Sequence, residues 1–273
     1  MTEINNDNDW QFAGIADGYE KYLAPVLSKW TDAMFEKTEL SEGEDVLDFA
    51  CGTGIVTRRL ADSVDTPGTV VGLDVEPAML EVARTTASSL PINVQWYEAN
   101  AEQMPFSDES FDVAYCQQGL QFMDNPTDAL TEAHRVLRPG GRLAVGVWSK
   151  LDDSPHYAAL TAALEKFAPQ QAAAAMRAPF DALSSPDKLR RCIESAGFEE
   201  VQTEAITHQV SYPSAEEFFR REVVSWLADP VGDLSESSRH AIVTMLERSL
   251  ERHINDGTLQ APMKALIAWG MKS

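Results

Sequence analysis

The sequence predicts a doubly wound α/β fold, a mostly parallel sheet of seven strands with helices on both faces. Three observations carry that expectation. The run Val46-Leu47-Asp48-Phe49-Ala50-Cys51-Gly52-Thr53-Gly54 reads as a buried strand that breaks at a glycine turn and enters a helix at Ile55. A second apolar run, Thr69-Val70-Val71-Gly72-Leu73-Asp74, ends in an acid 20 residues after Gly54. Strand-like runs then alternate with helical spacing as far as Trp148, and such alternation builds parallel βαβ units.

The elements follow in order. Residues 1–9 are polar and expected to fray. Trp10 to about Lys37 has helical spacing, with Tyr19, Tyr22, Leu23, Val26, Trp30 and Phe35 at the apolar positions, and Pro25 is expected to split it into two helices. After the first two strands and a helix from about Pro77, Val94–Phe106 reads as a third strand and its loop. Ser110–Gln118 reads as a fourth strand. Pro139-Gly140-Gly141 turns the chain into a fifth, Arg142–Trp148. Beyond it, Pro155–Phe167 and about Gln170–Arg177 are expected helices. Ser185-Pro186 opens another that Gly197 closes. Glu200–Tyr212 alternates as a strand. Ser214–Leu227 and Ser235–His253 read as amphipathic helices, Ser214 with Glu217 forming a capping box. Thr258–Met271 is the last strand.

The first turn narrows the ligand. A dinucleotide site wants G-x-G-x-x-G opening the helix. Here Gly52 and Gly54 are followed by Thr57 where the third glycine belongs. Asp48 stands inside the strand, and a carboxylate there suits a cation better than a pyrophosphate. S-adenosylmethionine carries an ammonium and a sulfonium and no phosphate. The turn therefore favours S-adenosylmethionine over NAD, with a structural turn that holds no ligand as the third reading. Asp74 sits where an acid holds ribose hydroxyls. That supports an adenosine ligand of either kind, and an N-cap role is compatible with it.

Together the acid-plus-Gly-Thr-Gly turn, Asp74, the loop Ala101-Glu102-Gln103-Met104-Pro105-Phe106, the strand Phe111–Gln118 and the turn Arg135–Gly141 occur in one order and spacing. They resemble the class I S-adenosylmethionine-dependent methyltransferases, and most of all the branch containing the ubiquinone/menaquinone C-methyltransferases. The resemblance is dense from about Val46 to Trp148 and loose beyond. It implies a Rossmann-like sheet with an antiparallel last strand. It implies an N-terminal helical lid over 1–40, a cofactor-binding core over 41–150, and helical inserts with the last two strands over 151–273. By the same resemblance, Asp48 and the backbone of Ala50, Cys51, Gly52, Thr53 and Gly54 hold the methionine end. Asp74 holds the ribose, with Val75 and Met79 walling the adenine. Asn100, Ala101 and Glu102 meet the adenine edge, Asn100 standing where many relatives have an acid. Gln117 and Gln118 lie beside the transferable methyl.

Methyl transfer to a small molecule needs positioning more than side-chain chemistry. Where a base is required, Tyr19, Gln121 and His156 are the candidates near the expected mouth. Tyr19, Tyr22, Gln121, Phe122 and Trp148 are the candidate acceptor contacts. Quinone-ring C-methylation is an alternative, as are an NAD-dependent oxidoreductase and a non-catalytic S-adenosylmethionine-binding protein.

Composition sets outer bounds. The length, 273 residues, suits one large domain or a domain with a cap. With 22 basic and 43 acidic residues, the formal net charge of −21 argues against a nucleic-acid substrate. It also favours a solvated acidic surface. No apolar run approaches a membrane span, and the three scattered cysteines, Cys51, Cys116 and Cys192, read as reduced packing residues in a cytoplasmic protein. No metal-ligand spacing is present in the sequence. A homodimer is compatible with all of this.

Overall fold

The computed structural model describes residues 14–63 and 68–273. The frayed tail expected at residues 1–9, and Trp10, lie outside them. The strands are β1 Val46–Phe49, β2 Val70–Asp74, β3 Val94–Glu98, β4 Phe111–Gln117, β5 Leu137–Trp148, β6 Glu199–Tyr212, β7 Ile254–Asn255 and β8 Thr258–Met271. They form one sheet in the order β3-β2-β1-β4-β5-β8-β6, with β7 attached to β8. The first five pair parallel; β8 runs antiparallel to both β5 and β6.

Each central strand feeds two cores because its side chains alternate between the faces. On one face lie Val46, Val113, Tyr115, Ala144, Ala265 and Ile267, packed against Trp30, Met34 and Leu160. On the other lie Leu47, Ala114, Cys116, Val145, Leu266 and Ala268, packed against Leu130, Ala133 and Leu189. Burial on both faces explains why β1, β2 and β4 read as continuous apolar runs. The chain order reverses between β1 and β4. That switch point opens a crevice at the carboxyl ends of the strands.

Five expectations change. The sheet has an eighth strand, because Asp256 (φ +48°) and Gly257 (φ +80°) form a two-residue hairpin turn that pairs Ile254 with Leu259. β5 begins at Leu137 and passes through the Pro139–Gly141 turn as a strand, with Gly140 at φ +79° and a register shift opposite Phe111–Val113. Pro25 does not split the N-terminal helix. Ile15–Thr38 stays helical throughout, with a π-turn at Tyr19–Leu23 just before the proline and a 3-10 turn at Ser28–Trp30. The helix from Gln170 continues to Asp181 through Pro179, drawn on by the burial of Phe180. The segment after Ser214 is helical over Ala215–Glu222, widens to a π-turn at Val223–Leu227 and ends at Val231. Its Ser214 hydroxyl accepts the Glu217 N–H. The Glu217 carboxylate is taken by Arg220 and Arg221 instead of closing a capping box.

Candidate functional site

The crevice at the switch point holds a cavity of about 380 Å³. Its floor is the β1 turn. Ala50, Gly52 and Gly54 all sit at left-handed φ (+53°, +54°, +81°), as does Gln118 (+58°) at the tip of β4. A side chain is tolerated at Gly52 only with strain, and one at Gly54 would meet the Trp96 ring at 2.8 Å. The tight turn thus brings the backbone of Ala50 and Gly52 to the cavity, just ahead of the helix Ile55–Ser63.

Two carboxylates are built into this floor. Asp48 is 1% exposed. Its Oδ2 accepts the Thr57 hydroxyl at 2.8 Å and the Thr57 N–H at 3.2 Å, while its Oδ1 has no partner. Thr57, which breaks the dinucleotide fingerprint, therefore serves to hold this acid. Burial, helped by the nearby Asp74 charge, pushes the Asp48 carboxyl up to about 7 against those hydrogen bonds. Asp74, at the tip of β2, accepts the Gly52 N–H at 2.7 Å and the Glu76 N–H at 2.9 Å. Burial raises its pKa in spite of them. Asp74 thereby ties the β2 tip to the glycine turn.

Most of the residues expected at the cofactor end border the cavity. Ala50, Gly52, Asp74, Val75, Met79, Asn100, Ala101, Gln117 and Gln118 line it. Asp48, Cys51, Thr53, Gly54 and Glu102 are not among the lining residues. Cys51 and Cys116 are buried packing residues, and the Thr53 hydroxyl is buried with no partner. Asn100 Oδ1 accepts the Glu102 N–H at 2.9 Å, and Glu102 itself receives the Asn125 N–H at 3.0 Å, so both brace the loop. Gln117 accepts from the Thr31 hydroxyl at 2.7 Å and donates to the Leu27 carbonyl at 2.6 Å. It pins the N-terminal helical path across the strand tips. Gln121 donates to Gln118 at 2.7 Å, which leaves Gln121 Oε1 and Gln118 Nε2 buried without partners.

The acceptor candidates divide. Tyr19, Phe122 and Trp148 line the cavity; Tyr22, Gln121 and His156 do not. Tyr22 receives the Arg220 guanidinium at 3.0 Å and lies under Arg220 and Arg221. His156 is fully buried among Tyr157, Tyr212 and Phe218 with neither ring nitrogen bonded. Burial holds it down at about 3, so it stays neutral. Tyr19 is held well above the usual tyrosine range by burial and then by the charges of Asp74, Glu20 and Asp48. It is a hydrogen-bond donor near neutral pH, not a base.

Sequence reasoning missed the wall opposite the cofactor floor. Leu23 and Leu27 come from the N-terminal path, and Tyr157, Phe180, Ser225 and Trp226 come from the C-terminal helices. Trp148 stacks on Phe180 at 6.3 Å and 15°. Apart from Ser225 these residues read as ordinary apolar or aromatic helix positions, and only the tertiary fold gathers them.

The floor can hold a cationic group, and the fold matches known proteins on that same region. Residues 47–145 match the methyltransferase domain family. Over 123 residues (44% of this chain and 48% of the relative) the chain is 41% identical to a ubiquinone/menaquinone biosynthesis C-methyltransferase of Ectopseudomonas mendocina. It is 35% identical over 149 residues (52% and 59%) to a demethylmenaquinone methyltransferase of Lactococcus lactis. The chain thus spans about half the length of the curated relatives it matches. Among solved structures, the YcgJ protein of Bacillus subtilis shares the fold with a TM-score of 0.61 at 18% identity, covering 89% of this chain and 97% of that one. The matched span ends before Tyr157, Phe180 and Trp226, which also line the cavity.

Proposed function

We propose that this protein is an S-adenosylmethionine-dependent methyltransferase acting on a small molecule. The observation that carries the reading is the buried, unpartnered Oδ1 of Asp48 beneath the left-handed glycine turn. Asp74 and Glu76 in the lining, with Asp48 buried close by, make an acidic floor suited to the ammonium and sulfonium of this cofactor, and a bound cation favours the ionised form of Asp48 over the neutral form that burial favours. A pyrophosphate would face the same carboxylates with no Lys or Arg in the described lining, which weighs against NAD. Asp74 is the ribose ligand, Val75 and Met79 flank the adenine, and Asn100 and Ala101 border its edge. The cofactor supplies an activated methyl group. The protein's part is to hold a nucleophile in line with it at about 3–3.5 Å. The helices that roof the cavity, at 15–38 and beyond 151, serve as a lid that excludes water.

A second reading, methylation of a quinone-ring carbon, is supported by the activities for which the relatives are named, although the match spans less than two thirds of their length. Incubation of the protein with methyl-labelled S-adenosylmethionine and a fractionated cell extract tests the main reading. Label in the small-molecule fraction supports it. Label confined to protein or nucleic acid contradicts it, and label entering an added demethylated quinol selects the second reading.

A further inference from the structure

The acceptor side of the cavity is walled by rings and carries no positive side chain. Tyr19, Phe122, Trp148, Tyr157, Phe180 and Trp226 line it, and no Lys, Arg or His is among the described lining residues. Residues 1–13 and 64–67 contain none of these three residue types either. Behind two of the rings sits Glu222, 2% exposed. Its carboxylate accepts the Trp226 indole N–H at 2.7 Å and the Tyr157 hydroxyl at 3.3 Å. A ring whose N–H or O–H donates to a carboxylate gains electron density, and its face attracts a cation more strongly. Arg221, whose charge acts on Glu222, is engaged by Glu217 at 2.8 Å.

Charge flow separates the possible nucleophiles. A phenolate or carbanion would bring negative charge into a cavity lined by Asp74 and Glu76, with the buried Glu222 behind two of its rings. An amine reacts as the neutral base. Its nitrogen lone pair forms the new N–C bond while the S–C bonding pair returns to sulfur, so positive charge passes from sulfur to nitrogen. A proton on that nitrogen leaves afterwards to water. Rings and a carboxylate already in place stabilise the charge as it develops.

We propose that the acceptor is an amine, and that Glu222 acting through Tyr157 and Trp226 determines this specificity. The proposal rests on the methyl-transfer reading above. These residues lie outside the span 47–145 that matches the methyltransferase family.

The test is calorimetric titration of the full chain, saturated with S-adenosylhomocysteine at pH 8, with choline and with its uncharged carbon analogue 3,3-dimethylbutan-1-ol. Choline is expected to bind about tenfold more tightly. In Glu222→Gln, or in Trp226→Phe should the first variant not fold, that ratio falls toward one. Equal or tighter binding of the alcohol, no binding of choline, or an unchanged ratio in the folded variants overturns the proposal while leaving the cofactor reading intact. Failure of S-adenosylhomocysteine itself to bind overturns both.

Discussion

Asp74 links two tasks in a single side chain. It accepts the Gly52 N–H and the Glu76 N–H, and it still faces the cavity. Asp74→Ala is expected to weaken S-adenosylhomocysteine binding by about 1.5–3 kcal/mol, the scale of hydrogen bonds to a charged group. Calorimetry checks this, and an unchanged affinity would remove Asp74 from the ribose site. Its position was legible in the sequence because an acid after an apolar run at that spacing has a specific use. The role of Thr57 was not. The sequence marked it only as a missing glycine, and its bonds to Asp48 exist only once the helix folds back over the strand.

Helix and turn geometry make two further predictions. Gly52 sits at φ +54°, and a Cβ there would come no closer than 3.9 Å to Tyr19. Gly52→Val is therefore expected to fold with a loss of about 1–2 kcal/mol from backbone strain, and to lose cofactor binding because the side chain fills the floor. A variant that binds normally would show that the turn does not touch the ligand. The two π-turns, Tyr19–Leu23 and Val223–Leu227, each supply lining residues. Beside them, the Ser225 hydroxyl donates to the Gly18 carbonyl at 3.2 Å. A Cβ on Gly18 would stand 2.2 Å from the Val224 carbonyl oxygen. Gly18→Ala should separate the two segments, speed amide hydrogen exchange over 15–30 and 220–231, and leave β1 and β4 protected. Unchanged exchange in both segments would contradict this packing. All the strands but Ile254–Asn255, and the Pro155–Phe167 helix, could be read from the apolar pattern. The π-turns could not, because they arise where two helical segments meet across the cavity, and no local pattern encodes that meeting.

At the scale of the molecule, three buried titratable groups set opposing pH dependences. Burial raises Asp48 and Glu222 to about 7. Their unfolded values lie near ~4. They bind protons more tightly when folded, so the stability they contribute is full below about pH 4 and is lost as pH rises to about 7. His156 is lowered to about 3, from ~6.5 when unfolded. Its contribution is full above about 6.5 and is lost as pH falls toward 3. Raising the pH from 5 to 8 should lower the contribution of the two acids, and Asp48→Asn should flatten that fall. Denaturant unfolding followed across this range measures it, and a wild-type slope retained in the variant would contradict the assignment. The doubly wound, mostly parallel sheet followed from the alternation of strands and helices. The acceptor wall did not, because it draws together residues separated by more than two hundred positions, from Tyr19 to Trp226.

The most direct test of the cofactor assignment is calorimetric titration of the purified chain with S-adenosylhomocysteine and, separately, with NAD. The negative floor around Asp48 and Asp74 predicts micromolar binding of S-adenosylhomocysteine and none of NAD. Binding of NAD alone would contradict the account at its centre.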